Sequence, residues 1–368
     1  MEPVRIAFDV GPEHGHRTGV GVTVHALRSA LDERADVALV PYLLSWRTHP
    51  DPPTRRLALP AALAHRLWAH VDAPAAERML GPFDVLHGTN YLVAPSRQPR
   101  LVSVYDCWFL DHPEQAAPSV RRAGAVLRRA VAAGATVHTS SHATADRVRD
   151  VLATERVEVI PLSALPVDPP ATSADAPAAV AAVAGRPFVL ALGTLERRKN
   201  LPALIAAFGH LAVDQPDLGL VLAGADGDDG PAVTTALAAL PAAVRARVVR
   251  PGPVTAAVKA WLLGHARLLA YPSLDEGFGF PLLEAQQAGL PIVATRAGSI
   301  PEVGGTGVEL VAVGDTEALA AALDRVASDE GRRAELIGAG HANLARFSWA
   351  ATAAAMAALY RRMAGEGR

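Results

Sequence analysis

The sequence predicts an α/β fold of two domains, each built from a parallel sheet wrapped by helices. Short β-type runs alternate with longer helical patterns through the whole chain, which is typical of this class. The 368 residues, half of them hydrophobic, are too many for one small core and suit two domains of ordinary size. Residues 163–185 are rich in Pro, Ala, Ser and Asp, and this change of composition predicts a linker between two such series.

The strand-like runs fall into one series before the linker and another after it. The first series comprises residues 4–10, 37–41, 84–87, 101–105, 136–139 and 157–160. The second comprises residues 188–192, 219–222, 247–249, 268–271, 291–294 and 308–311. We therefore expect one domain over residues 1–170 and a second over residues 186–346. Residues 347–368 carry an N-cap at Ser348 and apolar residues at helical spacing, which predicts an amphipathic closing helix.

Charge and composition narrow the classes of partner and compartment. A formal net charge of -2, with acids and bases spread along the chain, argues against a nucleic acid partner. The single cysteine, Cys107, permits no internal disulfide. The sequence shows no secretory signal and no apolar stretch of membrane-spanning length, so we expect a cytoplasmic protein. Of the 35 basic residues only Lys199 and Lys259 are lysines, which together with abundant alanine is typical of a high-GC bacterial genome.

Residues 271–284 leave a strand, cross a glycine-rich loop and enter a helix. Gly277 and Gly279 let the backbone approach a ligand and leave amide groups near the positive end of the helix dipole. The carboxylates at the two sides of the loop, Glu276 and Glu284, can accept paired hydrogen bonds from the vicinal hydroxyls of ribose and hexose. The alternative is a pair of ordinary solvated glutamates, one of them favoured by the dipole alone.

A second basic loop follows the first strand of the second domain. Residues 193–201 contain a glycine and then Arg198 and Lys199 at the mouth of a predicted helix, an arrangement that suits phosphate. Arginine offers a planar fork to phosphate oxygens and lysine a compact point charge. The alternative interpretation is a solvated run of charge on the surface.

These two segments resemble the Glu-x7-Glu motif and the Gly-x-x-x-x-Arg-Lys pattern of retaining glycosyltransferases of the GT-B fold, in particular family 4. This is the group 1 glycosyltransferase family, and the form of the basic loop is similar to its mannosyltransferases. The resemblance spans most of the chain. It implies a GT-B architecture of two Rossmann-like domains facing across a cleft, with the C-terminal helix returning to the N-terminal domain. The first domain would then serve the acceptor and the second the donor.

The resemblance also assigns roles to individual residues. It implies that four residues of the glycine-rich loop face the donor sugar: Glu276, Gly277, Phe278 and Gly279. It places Glu284 on the ribose hydroxyls and the basic pair, Arg198 and Lys199, on the donor diphosphate. Cations already in place would stabilise the leaving group, a term on the order of a few kcal/mol per donor. We therefore expect no metal and no cofactor.

The N-terminal half offers a second glycine loop, residues 15–22, which precedes a predicted helix. Gly19 and Gly21 would let that helix start approach the donor phosphate or the acceptor. A dinucleotide fingerprint is incomplete here because its third glycine is absent. A bare glycine turn is the alternative, and the resemblance favours the functional interpretation.

Residues 103–109, at the end of another predicted strand, resemble the family segment in which a strand ends in His-Asp. Tyr105 stands where the family has the histidine that contacts the donor sugar, a departure that bears on the sugar used. Asp106 is retained and is expected to orient the acceptor or a sugar hydroxyl. The alternative role for Asp106 is a cap at the strand end.

We therefore expect a metal-independent, retaining hexosyltransferase that uses a nucleotide-diphosphate sugar. GDP-mannose is favoured, with UDP-glucose and dTDP-rhamnose open, and the acceptor is a glycan, a lipid-linked sugar or a small molecule. A basic helix suggests peripheral contact with an anionic membrane, a solvated helix face being the alternative; it carries Arg121, Arg122, Arg128 and Arg129. Two other classes stay open: a nucleotide-sugar epimerase, which needs no acceptor, and a non-catalytic nucleotide-sugar binding protein.

Overall fold

The computed structural model describes residues 2–14, 19–165 and 177–366. The chain divides into two compact units. Unit 1 comprises residues 1–163 and 347–368, and unit 2 comprises residues 164–346. In the described ranges no helix combines the length and the apolar character that crossing a membrane requires.

Unit 1 is built on a seven-stranded sheet in which all paired strands are parallel. Its strands are β1 (Val4–Asp9), β2 (Val37–Leu44), β3 (Arg55–Leu57), β4 (Val85–Gly88), β5 (Arg100–Val104), β6 (Thr136–Thr139) and β7 (Val157–Val159). Its first helices are α1 (Gly19–Asp32), α2 (Ala61–His70), α3 (Glu77–Leu80), α4 (Trp108–Asp111), α5 (Pro118–Ala132) and α6 (His142–Leu152). The strand order is β3-β2-β1-β4-β5-β6-β7.

Unit 2 contains a six-stranded sheet, again with parallel pairs throughout. Its strands are β8 (Phe188–Leu192), β9 (Gly219–Ala223), β10 (Val248–Gly252), β11 (Leu268–Tyr271), β12 (Ile292–Thr295) and β13 (Glu309–Val311). Its helices are α7 (Leu201–Asp214), α8 (Gly230–Ala239), α9 (Ala242–Arg245), α10 (Ala256–His265), α11 (Phe280–Gln287), α12 (Ile300–Gly304), α13 (Thr316–Ser328) and α14 (Glu330–Leu344). The strand order is β10-β9-β8-β11-β12-β13.

The central strands are apolar on both faces because helices cover both sides of a parallel sheet. All five residues of β8 are buried, as are all five of β9. In unit 1, Ile6 and Phe8 of β1 belong to one apolar cluster, while Ala7 belongs to another. Successive side chains of a strand point to opposite faces, so β1 joins the two layers of the core.

The last helix, α15 (Trp349–Glu366), belongs to unit 1 although it follows unit 2 in the chain. Its fully buried Met356 and Tyr360 lie in the same apolar cluster as Ile6 and Phe8 of β1. The helix therefore closes the sheet layer that α1 begins. This arrangement is the return of the C-terminal helix that the resemblance implied.

A buried chain of hydrogen bonds also ties α15 to the sheet. The Tyr360 hydroxyl lies 2.7 Å from His87 Nδ1, and His87 Nε2 lies 2.9 Å from Ser103 Oγ. Ser103 Oγ lies 2.9 Å from His138 Nδ1, and His138 Nε2 donates to the carbonyl of Ile160 at 3.0 Å. Since a carbonyl only accepts, each neutral ring receives a hydrogen bond at Nδ1 and donates one from Nε2.

Candidate functional site

The candidate site lies at the edge of the unit 2 sheet where the carboxyl ends of β8 and β11 are adjacent. These strands pair in parallel, and the chain order reverses between them. In open α/β sheets, ligands bind outside the carboxyl ends at such a reversal. The loop after β8 carries Arg198 and Lys199 in a short 3-10 turn, and the loop after β11 carries Glu276. Topology thus brings together residues that are far apart in the sequence.

Glu276 is the centre of a buried ionic cluster. Its carboxylate is only 5% exposed and accepts hydrogen bonds from Arg198 Nη1 at 2.8 Å and from Ser273 Oγ at 2.7 Å. Lys199 Nζ also donates to this carboxylate, and it donates to the Tyr271 hydroxyl at 3.0 Å. Arg198 and Lys199, which the resemblance assigned to the donor diphosphate, therefore both bind Glu276, which it assigned to the donor sugar.

The electrostatics of this cluster follow from burial and from close opposite charges. Burial raises the pKa of Glu276, but Lys199 and Arg198 outweigh it and lower that pKa to about 2. Burial lowers the pKa of the Lys199 ammonium, against the opposing effect of Glu276. Burial is also the main reason why the pKa of Tyr271 is well above its usual value, and the charges of Glu276 and Glu284 raise it further. Both glutamates are thus close enough to influence one phenol group.

The loop that carries Glu276 is held from behind by the turn between β12 and α12. Ser299 N donates to the Glu276 carbonyl at 2.9 Å, and Thr295 Oγ1 donates to the Ser273 carbonyl. Gly298 adopts a φ of +46°, and a Cβ at that position would collide with Asp275 and with the backbone of Glu276. Only glycine combines this conformation with this close approach.

Glu284 lies on α11, whose start is a left-handed Gly279 with a φ of +91°. Its side chain is 6% exposed, and Oε1 accepts a hydrogen bond from Lys259 Nζ of α10 at 2.7 Å. Phe278, next to that glycine, is buried, and its ring meets Phe280 edge to face at 5.1 Å. Glu284 shares no hydrogen-bond partner with the Glu276 cluster among the described residues.

Lys259 is the residue that motif reading missed. It lies outside both recognised segments, and its contact with Glu284 joins two helices that are separate in the sequence. One signal was available, because only Lys199 and Lys259 interrupt an otherwise all-arginine set of cations. Each of these two lysines pairs with one of the two glutamates of the glycine-rich segment.

The remaining candidates lie in unit 1. Asp106 follows β5, and its carboxylate accepts from the Tyr91 hydroxyl at 3.0 Å and from Trp108 N at 3.2 Å. These contacts cap the turn that leads into α4, which is the alternative role considered for Asp106. Tyr105 beside it is half-buried, and the Tyr91 ring meets its ring edge to face at 6.1 Å.

The glycine loop of unit 1 was expected to cover residues 15–22. For residues 19–22 this prediction is wrong, because α1 begins at Gly19. Gly21 is consequently buried inside the helix and not exposed in a turn. Apolar residues recur at helical spacing from this first turn onward: Val20, Val24, Leu27 and Leu31. Residues 15–18 lie outside the described residues.

No three His, Cys, Asp or Glu side chains in the described ranges are arranged to hold a metal ion. The sequence Asp226-Gly227-Asp228 has the spacing of a two-carboxylate metal motif, but its acids have other partners. Asp226 pairs with Arg250 at 3.1 Å, and Asp228 accepts from the backbone N of Arg197 at 3.0 Å.

Comparison with known proteins adds a family match and several structural neighbours. Residues 174–342 match the family model described as "Glycosyl transferases group 1". The O-antigen chain mannosyltransferase B of Escherichia coli is 30% identical over 164 residues, which are 44% of this chain and 42% of that protein. The D-inositol 3-phosphate glycosyltransferase of Xylanimonas cellulosilytica is 35% identical over 178 residues, 47% of this chain and 42% of that protein. The matched region thus spans about two fifths of these curated relatives.

Solved structures resemble the chain over nearly its whole length. Sucrose-phosphate synthase from Thermosynechococcus elongatus superposes with a TM-score of 0.73 at 21% identity, covering 98% of this chain and 99% of that chain. The Anabaena protein HepE, in complex with UDP and glucose, gives a TM-score of 0.69 at 18% identity, covering 98% and 100%. The fold is therefore the GT-B fold. The family match thus relates residues 174–342, which lie within unit 2, to group 1 glycosyltransferases, and the solved structures add the fold of the whole chain.

Proposed function

We propose that this chain is a retaining glycosyltransferase that moves a hexose from a nucleoside-diphosphate sugar to an acceptor hydroxyl. One observation carries the proposal: Arg198, Lys199 and Glu276 meet in one buried cluster at the point where the unit 2 sheet reverses its order. Two cations beside a carboxylate suit a ligand that carries both a diphosphate and sugar hydroxyls. The group 1 family match covers this same part of the chain.

In the proposed mechanism, the basic pair and Glu276 act together on the donor. Arg198 and Lys199 bind the diphosphate and stabilise the negative charge that develops on it as the bond to the sugar breaks. Glu276 holds both cations in place and accepts hydrogen bonds from sugar hydroxyls. The acceptor oxygen bonds to the anomeric carbon on the face that the phosphate leaves, and its proton passes to the leaving phosphate. These charges are supplied by side chains, so we propose that no metal is needed.

For the donor we favour a mannosyl nucleotide. Among the relatives, the Escherichia coli O-antigen protein is named as a mannosyltransferase, and so is a Mycolicibacterium hassiacum protein that is 39% identical over 105 residues. UDP-sugars stay open, because the Anabaena neighbour is complexed with UDP and glucose. We propose that residues 186–346 form the donor domain and residues 1–170 the acceptor domain, with the closing segment 347–368 completing the latter.

The remaining finer assignments are proposals as well. Glu284 holds the ribose hydroxyls, and the backbone amides of Gly277, Phe278 and Gly279 face the donor sugar. Asp106 orients the acceptor, which is a glycan, a lipid-linked sugar or a small molecule. A cytoplasmic location, with contact to a membrane surface when the acceptor is lipid-linked, agrees with these substrates.

The test begins with a thermal-shift panel of nucleoside diphosphates and nucleotide sugars, since a ligand that binds the folded state raises the Tm. The donor selected there is incubated with and without acceptors, in the presence of EDTA. We expect transfer only with an acceptor, and NMR should show that the product keeps the anomeric configuration of the donor. We expect the Glu276→Gln variant to lose this transfer activity. Conversion of the sugar without an acceptor would identify an epimerase. Tight binding without any turnover would identify a binding protein.

A further inference from the structure

The second lysine of the chain carries an inference of its own. Lys259 lies in the middle of α10 and reaches α11, where its ammonium donates to Glu284 Oε1 at 2.7 Å. The Lys259 side chain is 31% exposed, whereas the Glu284 carboxylate is 6% exposed. The pair is therefore a nearly buried acid held by a cation on its solvent side.

The hydrogen bonds of Glu284 leave part of its carboxylate uncommitted. In the described ranges, Lys259 is the one partner of this carboxylate, and Oε2 accepts no hydrogen bond. An ionised carboxylate has about four lone-pair sites, so Lys259 occupies one and the others can accept two further donors together. A vicinal diol supplies two donors from adjacent carbons, whereas a deoxyribose supplies one.

We propose that Lys259 is a positioning residue that orients Glu284 so that the carboxylate selects nucleotides with an intact ribose diol. This rests on the proposed function and narrows its donor class to ribonucleoside-diphosphate sugars. A 2′-deoxynucleotide leaves an acceptor of a nearly buried carboxylate without a partner, which is unfavourable. A dTDP-sugar is thereby disfavoured as donor.

Lys259 could instead only connect α10 to α11, and the two roles differ in a measurable way. A purely structural connection affects all nucleotides equally, because its loss disturbs the helices regardless of the ligand. A positioning role affects only ligands whose 2′-hydroxyl reaches Glu284. The ratio of the affinities for matched ribo- and 2′-deoxynucleotides separates the two.

The experiment measures dissociation constants by calorimetry for GDP, UDP and ADP, each beside its 2′-deoxy counterpart. Wild-type protein is compared with Lys259→Met, which keeps the length of the side chain, and with Lys259→Arg, which restores a cation. Arg325→Met, which removes a cation from Glu309 elsewhere in unit 2, is the matched control. Circular dichroism checks that each variant is folded.

For wild type we expect the preferred ribonucleotide to bind about tenfold more tightly than its 2′-deoxy form. In Lys259→Met we expect about a tenfold loss for the ribonucleotide and less than a twofold change for the 2′-deoxy form. Lys259→Arg should recover most of the preference, and Arg325→Met should leave it unchanged. Equal losses for both forms, or no loss, would overturn the inference alone. A wild-type protein that binds none of these nucleotides would overturn the proposed function with it.

Discussion

At the scale of single residues, the buried ion pairs of Glu276 are weak evidence for a gain in stability. Desolvating a carboxylate and an ammonium costs several kcal/mol, and their attraction often does no more than balance that cost. The Glu276 carboxylate accepts hydrogen bonds from two cations and from the Ser273 hydroxyl. The loop that carries it packs against the turn at Gly298. A site preorganised in this way needs little rearrangement when a charged ligand arrives.

Removing the cation of Lys199 tests the role of this cluster. We expect Lys199→Met to weaken nucleoside diphosphate binding about tenfold or more, since a charge-assisted hydrogen bond to phosphate is lost. We expect Glu284→Ala to weaken it to a similar extent through the ribose. Calorimetric titration is the measurement, and Arg250→Met, which removes a cation from the exposed acid Asp226, is the control. Unchanged affinity in both Lys199→Met and Glu284→Ala would show that the nucleotide binds elsewhere.

Residue identities in the site were predictable from the sequence to the extent that they lie in local patterns. Glu276 and Glu284 flank a glycine-rich strand-to-helix turn, and Arg198 and Lys199 follow a strand and a glycine. The contact that joins Glu276 to the basic pair spans more than seventy residues, so only the sheet topology reveals it. Lys259 has no local pattern, since its significance depends on α10 lying beside α11.

At the scale of elements, the turn between β12 and α12 determines where the Glu276 loop sits. Gly298 combines a positive φ with close contact to Asp275 and Glu276, whereas Gly314 has a φ of +82° and open space around its Cβ position. A side chain at either position would therefore strain the backbone, because both have a positive φ. Only at Gly298 would its Cβ also collide with neighbouring atoms.

This difference makes Gly298→Ala and Gly314→Ala a matched pair. Gly298→Ala should displace the Glu276 loop and lower transfer activity and donor affinity by about tenfold or more, because catalytic groups tolerate little misplacement. Gly314→Ala should leave donor affinity within about twofold and cost only the roughly 1 kcal/mol of an unfavourable φ. Equal effects of the two substitutions on donor affinity would show that the turn does not position the loop.

Element prediction worked where periodicity was strong and failed where neighbours decide the structure. The runs predicted as strands of unit 2 correspond to β8 through β13 with ends shifted by at most one residue, except that β10 (Val248–Gly252) ends three residues later than predicted. Strand β3 (Arg55–Leu57) was not predicted, since two arginines and a leucine carry no strand pattern and pair only because β2 is adjacent. The start of α1 was misplaced because Gly19 and Gly21 suggest a turn, while the apolar periodicity that includes Val20 requires a helix.

At the scale of the whole molecule, unit 1 depends on α15, and the buried chain from Tyr360 through His87 and His138 makes that dependence sensitive to acid. Burial lowers the pKa of His138 to about 4 and that of His87 well below its usual value. Both rings are therefore neutral in the folded state near pH 7. Their hydrogen-bonding pattern requires neutral rings, since each Nδ1 accepts.

Acidification should therefore destabilise unit 1. A histidine whose pKa falls from about 6.5 to about 4 on folding leaves stability unchanged above pH 6.5 and reduces it as pH falls toward 4. For His138 the expected loss is about 1–2 kcal/mol between pH 7 and pH 5. Urea unfolding of wild type and His138→Gln at both pH values measures this loss. The difference in the free energy of unfolding between the two proteins should be smaller at pH 5 than at pH 7 by that amount.

The comparison with His138→Gln is needed because Asp9 changes the stability of unit 1 with pH in the opposite direction to His138. Burial raises its pKa to about 7, so its contribution to stability grows as pH falls below 7. Asp9 contributes equally to wild type and variant, and the comparison removes it. A difference between the two proteins that does not change with pH would contradict the assigned role of His138.

The position of α15 has a further consequence for biosynthesis. The layer of unit 1 that contains Ile6 and Phe8 is covered by α1 and completed by α15, whose residues are translated only after all of unit 2. Since the early strands leave the ribosome long before this cover is complete, part of their apolar face stays open to solvent or to chaperones during translation. The later unit can reach its native state on the nascent chain before α15 exists, whereas the earlier one matures only once α15 has also been synthesised.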